Sequence, residues 1–258
     1  MLYIVFAIFI FILYKIIYSN FIKVEYIKIS NKKEGNIKIV HLSDVHIREN
    51  DYLRLEKIIN KVKIINPDII VITGDLIDSV ITDYSLDYFC MELTQIASVI
   101  AVSGNHEESY SDYQLWKSIL TRYGAIVLEN NYIEIEDVVF LGLTNEKVYS
   151  ESMIKDIEKI KEKNIVLLVH RPELFKEYCS KNNLINPNII LTGHAHGGQF
   201  RVFNRGLYSP GQGLFPKYTS GVYKSEDCKS IMIVSRGLGH CSIPVRFNNR
   251  FHIPIIEI

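Results

Sequence analysis

From residue 37 onward the chain repeats one pattern: a short apolar run, a polar or Gly-containing tip, then a stretch of helical spacing. The runs are IKIVHL (37–42), DIIVIT (68–73), SVIAVS (98–103), NIVLLV (164–169) and NIILTG (188–193). Each is rich in Ile and Val without a polar alternation, as a strand covered on both faces should be. Between them Leu55, Ile58, Ile59, Val62 and Ile65 recur at helical spacing, and 84–95 and 113–123 suit further helices. Pro172 suits the first turn of another, running toward Lys181. Residues 133–143 read as a hairpin across Asp137, and the tail past 205 is strand-like in YSP, GVYKS, SIMIVS and HIPIIEI. Helices alternating with strands, and antiparallel strands late in the chain, predict a layered α/β fold with mixed sheets. With no internal repeat or long linker, 37–258 is expected to form one domain, preceded over 23–36 by a linker or first strand.

The start of the chain differs in kind. Residues 1–14 carry no charge, and apolar character resumes after Lys15 in Ile16, Ile17 and Tyr18. A bilayer crossing needs about 20 apolar residues, reached here only if Lys15 snorkels to the interface. A basic start, a small-residue cleavage site and a twin-arginine pair are all missing from this stretch. The pattern therefore predicts an uncleaved transmembrane anchor over 1–22, a signal peptide or buried helix being the alternatives. Lys15, Lys23, Lys28, Lys32 and Lys33 follow the apolar run. The positive-inside rule then puts the C-terminal bulk on the cytoplasmic side of a single-pass protein of the cell membrane.

Composition narrows the class. The 258 residues hold 29 Lys+Arg against 29 Asp+Glu, which argues against nucleic acid bound by a general phosphate field. A 48% hydrophobic content supplies a real core and excludes disorder. Cys90, Cys179, Cys228 and Cys241 are scattered and read as buried thiols, not as a disulfide framework or a zinc-thiolate site.

The tips carry the chemistry. Asp44 and His46 follow the first strand, Gly74 and Asp75 the second, and Gly104, Asn105, His106 and Glu107 the third. The fourth ends at His170, and the fifth leads into a loop with His194 and His196. Taken singly, Asp44 and Asp75 are ordinary turn or N-cap residues, Asn105 an ordinary turn residue and His170 a satisfied core histidine. Five successive strands delivering such groups to one sheet edge, where α/β folds gather catalytic residues, is a different matter. Imidazole, carboxylate and amide oxygen without thiolate suit Mn²⁺, Fe or Zn²⁺. Seven such ligands exceed the needs of one catalytic ion and fit two that share a carboxylate.

D-x-H, G-D-x-x-D, G-N-H-E, a lone His and G-H-x-H, in this order over 44–196, resemble the calcineurin-like metallophosphoesterase superfamily. SPGQGLFPKYTSGVY (209–223) and SRGLGHCSIPVR (235–246) resemble its bacterial membrane-associated branch, the YkuE/YaeI-type phosphodiesterases, although the closing NNRFHIP differs from the N-R-P-E of that branch. The resemblance implies a four-layer α-β-β-α sandwich of two mixed sheets carrying an N-terminal transmembrane helix. It implies two divalent ions, Mn²⁺ foremost, with Asp44, His46 and His196 on the first, Asn105, His170 and His194 on the second and Asp75 bridging. His106 would be no ligand but the general acid at the phosphoester, with Asp78 to orient it, although a turn aspartate explains Asp78 as well. Glu107 and Arg171 would support the site or lie exposed, and Gly197, Gly198 and Gln199 would shape the loop.

The implied reaction is metal-dependent hydrolysis of a phosphodiester or pyrophosphate. The anchor favours a membrane substrate such as the nucleotide-sugar lipid UDP-2,3-diacylglucosamine. A soluble-substrate phosphodiesterase and a non-catalytic scaffold of the same fold are the alternatives. Leu214, Phe215 and Pro216 suit an apolar lip for an acyl chain or simple packing.

Overall fold

The computed structural model describes residues 2–29, 37–78, 84–109, 113–144, 163–180, 187–227, 229–240 and 244–258. The buried runs form the strands that their patterning predicts: β2 (Lys38–Leu42), β3 (Ile69–Thr73), β4 (Ser98–Val102), β8 (Asn164–Leu168) and β9 (Ile189–Thr192). The first sheet also takes β1 (Lys23–Lys28), β5 (Ile126–Val127) and the last strand β16 (His252–Glu257), in the order β1-β16-β2-β3-β4-β5. The second takes the hairpin β6 (Asn131–Ile135) and β7 (Val138–Gly142), with β14 (Gly221–Lys224) and β15 (Ile231–Val234), in the order β14-β15-β9-β8-β7-β6. Both are mixed: β16 meets β2 antiparallel while β2, β3 and β4 run parallel, and β7, β8, β9 and β15 run parallel between antiparallel edges.

Alternate residues of each strand face opposite layers. Ile39, Ile69, Val71 and Ile100 of the first sheet meet Phe140, Val166, Leu168 and Ile233 of the second in a core between the sheets. Val40, Leu42, Ile70 and Ile72 point outward onto helices α2 (Tyr52–Ile65), α3 (Ser85–Thr94) and α5 (Tyr113–Arg122). Leu55, Ile58, Ile59, Val62 and Ile65 are the buried stripe of α2, as their spacing predicts. The second sheet turns Val139, Leu141, Ile165 and Leu167 onto the short helix α6 (Phe175–Tyr178), so the layers run α-β-β-α. The helix expected after Pro172 begins as a 3₁₀ turn over Pro172–Leu174 and continues as α6, and Lys181 lies outside the described residues. Cys90 is buried, Cys179 is half-buried, and Cys228 and Cys241 lie outside the described residues.

The apolar start forms α1 (Leu2–Ser19), and every residue from 3 to 14 is exposed. Among the described residues no helix is long and apolar enough to cross a membrane. This corrects the length of the anchor expected over 1–22: 18 residues of helix rise about 27 Å against a hydrocarbon core of about 30 Å. The C-terminal end of α1 is docked firmly. The Asn249 amide donates to Ser19 Oγ (3.0 Å), and Arg250 donates to the Tyr18 hydroxyl (3.1 Å) and the Ile22 carbonyl (2.8 Å).

One core residue makes stability depend on pH. His41 of β2 is fully buried and shares a 2.7 Å hydrogen bond with Thr73 Oγ1. Burial, and then the nearby His252, hold its pKa down at about 3. The unfolded chain binds this proton near pH 6.5, so the neutral ring's contribution is complete above 6.5 and is lost as pH falls toward about 3. Urea unfolding of the full chain in detergent with EDTA is expected to lose up to about 1.4 kcal/mol per pH unit through this group. His41→Asn should flatten the slope by that amount, and an unchanged slope would show that His41 does not couple folding to protons.

Candidate metal centre

The loops that leave β2, β3, β4, β8 and β9 meet at one edge of the two sheets. After β2 and β3 the parallel pairing continues past the strands, with the Asp44 amide donating to the Gly74 carbonyl (3.0 Å) and the His46 amide to the Asp75 carbonyl (3.1 Å). Asp44, His46, Asp75, His194 and His196 all have φ between 45° and 62°. Non-glycine residues rarely adopt this left-handed region, and it concentrates where function holds the backbone off its preferred basins. The crowding is severe enough to require glycine beside them. A Cβ on Gly193 would lie 1.8 Å from Ser43 Oγ, and one on Gly104 would lie 2.3 Å from Asp75 Oδ1.

Two fully buried ligand groups result. Asp44, His46 and His196 form one, with His46 Nε2 3.3 Å from His196 Nε2 and His196 Nε2 3.6 Å from Asp44 Oδ1. Asp75, His170 and His194 form the other, with His170 Nε2 3.1 Å from both Asp75 Oδ2 and His194 Nδ1. Asp75 Oδ2 is also 3.9 Å from His46 Nε2, so this one oxygen lies between the two groups. His170 donates from Nδ1 to the Thr73 carbonyl at 2.8 Å, which leaves the Nε2 lone pair for a metal. Asn105 Oδ1 and His194 Nε2 are buried without a hydrogen-bond partner. Asn105 precedes His106, whose amide donates to Asp75 Oδ1 at 2.9 Å, and an orphaned buried amide oxygen is the chemistry a divalent cation satisfies, so the donor set fits two such ions.

The electrostatics agree. Burial pushes Asp44 above the usual carboxylate range. Burial also works to raise Asp75, yet His170, with His46 behind it, holds it well below that range. His170 in turn is held at about 10 by Asp75 and Asp44 against the effect of its burial. His194, by contrast, is pushed down to about 3 by burial and by charge on His170. Two buried carboxylates thus draw a cation to the same spot, a proton on His170 being the substitute for a metal.

Around this centre the structure gives Glu107 the supporting one of its two expected roles and adds Glu173, Arg246 and Asn249, which the sequence had not singled out. Glu107, fully buried, accepts the amides of Leu76 (2.6 Å) and Ile77 (3.1 Å) on one oxygen and of Asp75 (2.9 Å) and Gly104 (2.7 Å) on the other. It therefore ties the loop after β3 to the loop after β4. The segment after β15 crosses Asp44, whose carbonyl accepts the amides of Leu238 (3.1 Å) and Gly239 (2.7 Å). Buried Arg246 reaches His196 Nδ1 at 3.4 Å, and Asn249 Nδ2 donates to the His196 carbonyl at 2.7 Å. Glu173, with both oxygens buried, faces His194 Nε2 at 3.7 Å.

His106 heads α4 (Asn105–Ser109), and its ring is 30% exposed over the buried groups. Its Nε2 lies 4.0 Å from Asp75 Oδ2 and its Nδ1 3.3 Å from the Asp78 carbonyl. The Asp78 carboxylate is nearer His46 Nδ1 (3.3 Å) than His106 Nδ1 (4.0 Å), and Arg48 donates to its other oxygen at 2.8 Å. Those contacts, the one with His46 first, hold Asp78 down at about 2.

Strand-end carboxylates and imidazoles on paired mixed sheets define a metallohydrolase-type centre. Residues 37–198 match the Calcineurin-like phosphoesterase family, and the chain belongs to that family. It is 30% identical over 238 residues to the uncharacterized metallophosphoesterase YkuE of Bacillus subtilis (strain 168), covering 86% of this chain and 78% of that one. It is 26% identical over 241 residues to the transmembrane protein with metallophosphoesterase domain of Danio rerio, spanning 53% of that relative's length. The Bos taurus protein of the same name is 28% identical over 238 residues and is likewise spanned for about half its length, 51%. Among solved structures, TT1561 of Thermus thermophilus superposes with a TM-score of 0.52 at 12% identity, over 79% of this chain and 91% of that one, which shows the fold.

Proposed function

We propose that this chain hydrolyses phosphodiester or pyrophosphate bonds at a centre of two divalent ions, Mn²⁺ foremost, held by 37–258 as the catalytic unit. The observation that carries the reading is the pair of buried ligand groups joined by Asp75 Oδ2, with a half-exposed His106 beside them. Asp44, His46 and His196 would hold one ion and Asn105, His170 and His194 the other, with Asp75 placed to serve both. When bound, the ions neutralise phosphate oxygens and supply a water ionised near neutral pH. His106 directs Nδ1 to the Asp78 carbonyl, which leaves Nε2 toward the site to give its proton to the leaving oxygen. Asp78 keeps His46 and, through its carbonyl, His106 in place. The filled ligand set weighs against a non-catalytic scaffold.

The same reading seats α1 in the membrane, with the catalytic unit on the cytoplasmic side and lipid-linked phosphoesters as substrates. Its support is the helix's exposed apolar surface on all sides, which water does not favour, and the Danio rerio and Bos taurus relatives named as transmembrane proteins. An 18-residue helix matches a bilayer thinned by a few ångströms or one in which Lys15 reaches the head groups. The test is turnover of bis-p-nitrophenyl phosphate against p-nitrophenyl phosphate by the detergent-solubilised chain with Mn²⁺ or EDTA. The expected result is Mn²⁺-dependent cleavage favouring the diester and abolished by EDTA. No turnover of either ester with both ions demonstrably bound would overturn the hydrolase reading for simple esters.

A further inference from the structure

Directly after the His196 turn the chain folds two small hairpins: β10 (Arg201–Val202) with β11 (Arg205–Gly206), and β12 (Tyr208–Ser209) with β13 (Gly213–Leu214). Phe203, at the tip of the first, is 94% exposed, and Phe215, closing the second, is 79% exposed. Both also have positive φ, 46° and 53°. A bulky residue in the left-handed region is a backbone outlier, and here the fold bears that cost twice only to hold an aromatic ring in water. Val202, Tyr208 and Leu214 are exposed beside them. Ile64 and Leu115, by contrast, are single exposed residues on α2 and α5, which is ordinary for a protein surface.

The two hairpins are joined to each other and to two other parts of the molecule. The Phe215 amide donates to the Leu207 carbonyl at 2.9 Å, and the Leu207 amide donates to the Phe200 carbonyl at 2.9 Å. Toward the site, a Cβ on Gly211 would lie 3.1 Å from His194 Nε2, so the second hairpin walls the metal centre. Toward the N-terminus, Asn248 Nδ2 donates to the Arg201 carbonyl (3.4 Å) and Asn248 Oδ1 accepts from Lys15 Nζ (3.1 Å). The crest is thus continuous with α1 at the level of the lysine that closes its charge-free stretch. Each exposed Phe also has an exposed cation two residues on, Arg205 and Lys217. Aromatic rings flanked by Lys and Arg are the chemistry of a bilayer's anionic head-group region.

We propose that the hairpin crest is a membrane-docking surface, whose Phe203 and Phe215 enter the interface of an anionic bilayer beside α1 and hold the metal centre at head-group depth. The inference rests on the membrane seating of α1 and goes beyond it, since an anchor by itself does not say which face of the catalytic unit meets the bilayer.

Tryptophan quenching tests it, because Trp116 is the only tryptophan of the chain and lies in the core. Phe203→Trp, Phe215→Trp and Phe9→Trp in the full chain are reconstituted into phosphatidylglycerol-containing vesicles with acyl chains brominated near the head group. Loss of emission at all three positions, with the parent chain unaffected, is the expected result. Quenching of Phe9→Trp with either hairpin variant unquenched overturns the docking surface and leaves the anchor standing. Quenched hairpins with an unquenched Phe9→Trp overturn the anchor and keep the docking surface, and an absence of quenching at all three overturns both.

Discussion

His106→Ala is expected to lower kcat on a phosphodiester with a poor leaving group, such as an alkyl ester, by about two to four orders of magnitude, and by less on bis-p-nitrophenyl phosphate, while both metal ions stay bound. The size is that of a positioned general acid, and the selectivity follows from geometry. The His106 ring is 30% exposed, whereas the rings of His46, His170, His194 and His196 are buried. Its contact with the ligand set through the backbone survives the substitution, since the His106 amide donates to Asp75 Oδ1 at 2.9 Å. Metal content measured by mass spectrometry should therefore match the parent chain. His106→Gln, which cannot give up a proton, should resemble the alanine variant. The loss should also shrink as the leaving group becomes more acidic, because a good leaving group needs no acid. A uniform loss across leaving groups, or a loss of metal, would place His106 among the positioning residues instead.

The strands and the site differ in how far they can be read from the chain. Buried strands announce themselves because each is a short Ile- and Val-rich run, and the ligands follow because a parallel sheet delivers its strand ends to one edge. Asp44, His46, Asp75, His170, His194 and His196 are brought together on that logic. What stayed hidden is what depends on contacts between distant segments. Glu107 looks like a neighbour of His106 and is in fact the acceptor of four backbone amides from two loops. A carboxylate next to a Gly-Asn turn was the available signal, and it does not say which amides it will meet. Asn249 and Arg250 lie in the closing NNRFHIP, just before the chain departs from the N-R-P-E of its expected branch at Phe251, and their hydrogen bonds run to His196 and to the end of α1. Asp78 was read toward His106, which its carbonyl meets at 3.3 Å, but its carboxylate lies closer to His46 and Arg48. The helix length was misjudged for a simpler reason: hydropathy continues past Ser19, but the backbone turns there to dock on Phe251, whose amide donates to the Ser19 carbonyl at 3.2 Å.

Asp75→Asn should be more damaging than any substitution at His106, because it acts on both ions at once. Asp75 Oδ2 lies 3.1 Å from His170 Nε2, 3.9 Å from His46 Nε2 and 4.0 Å from His106 Nε2, and an amide puts no charge there. The metal-free chain should tolerate the change better than the loaded one. His170, held at about 10 chiefly by Asp75, is free to give up its proton once that carboxylate is gone, so no unpaired buried charge remains. The loss should appear in linkage to metal. A site at 100-fold excess over its Kd stabilises the fold by about 2.7 kcal/mol, or roughly 5–10 °C in Tm for a chain of this size. Thermal unfolding of the parent chain in detergent should rise with added Mn²⁺ by that order per site, and the rise should all but vanish in Asp75→Asn, along with turnover. Asp44→Asn touches only the first ligand group and should keep part of the shift. Equal shifts in Asp75→Asn and the parent chain would remove Asp75 from the metal centre and with it the shared oxygen on which the two-ion reading stands.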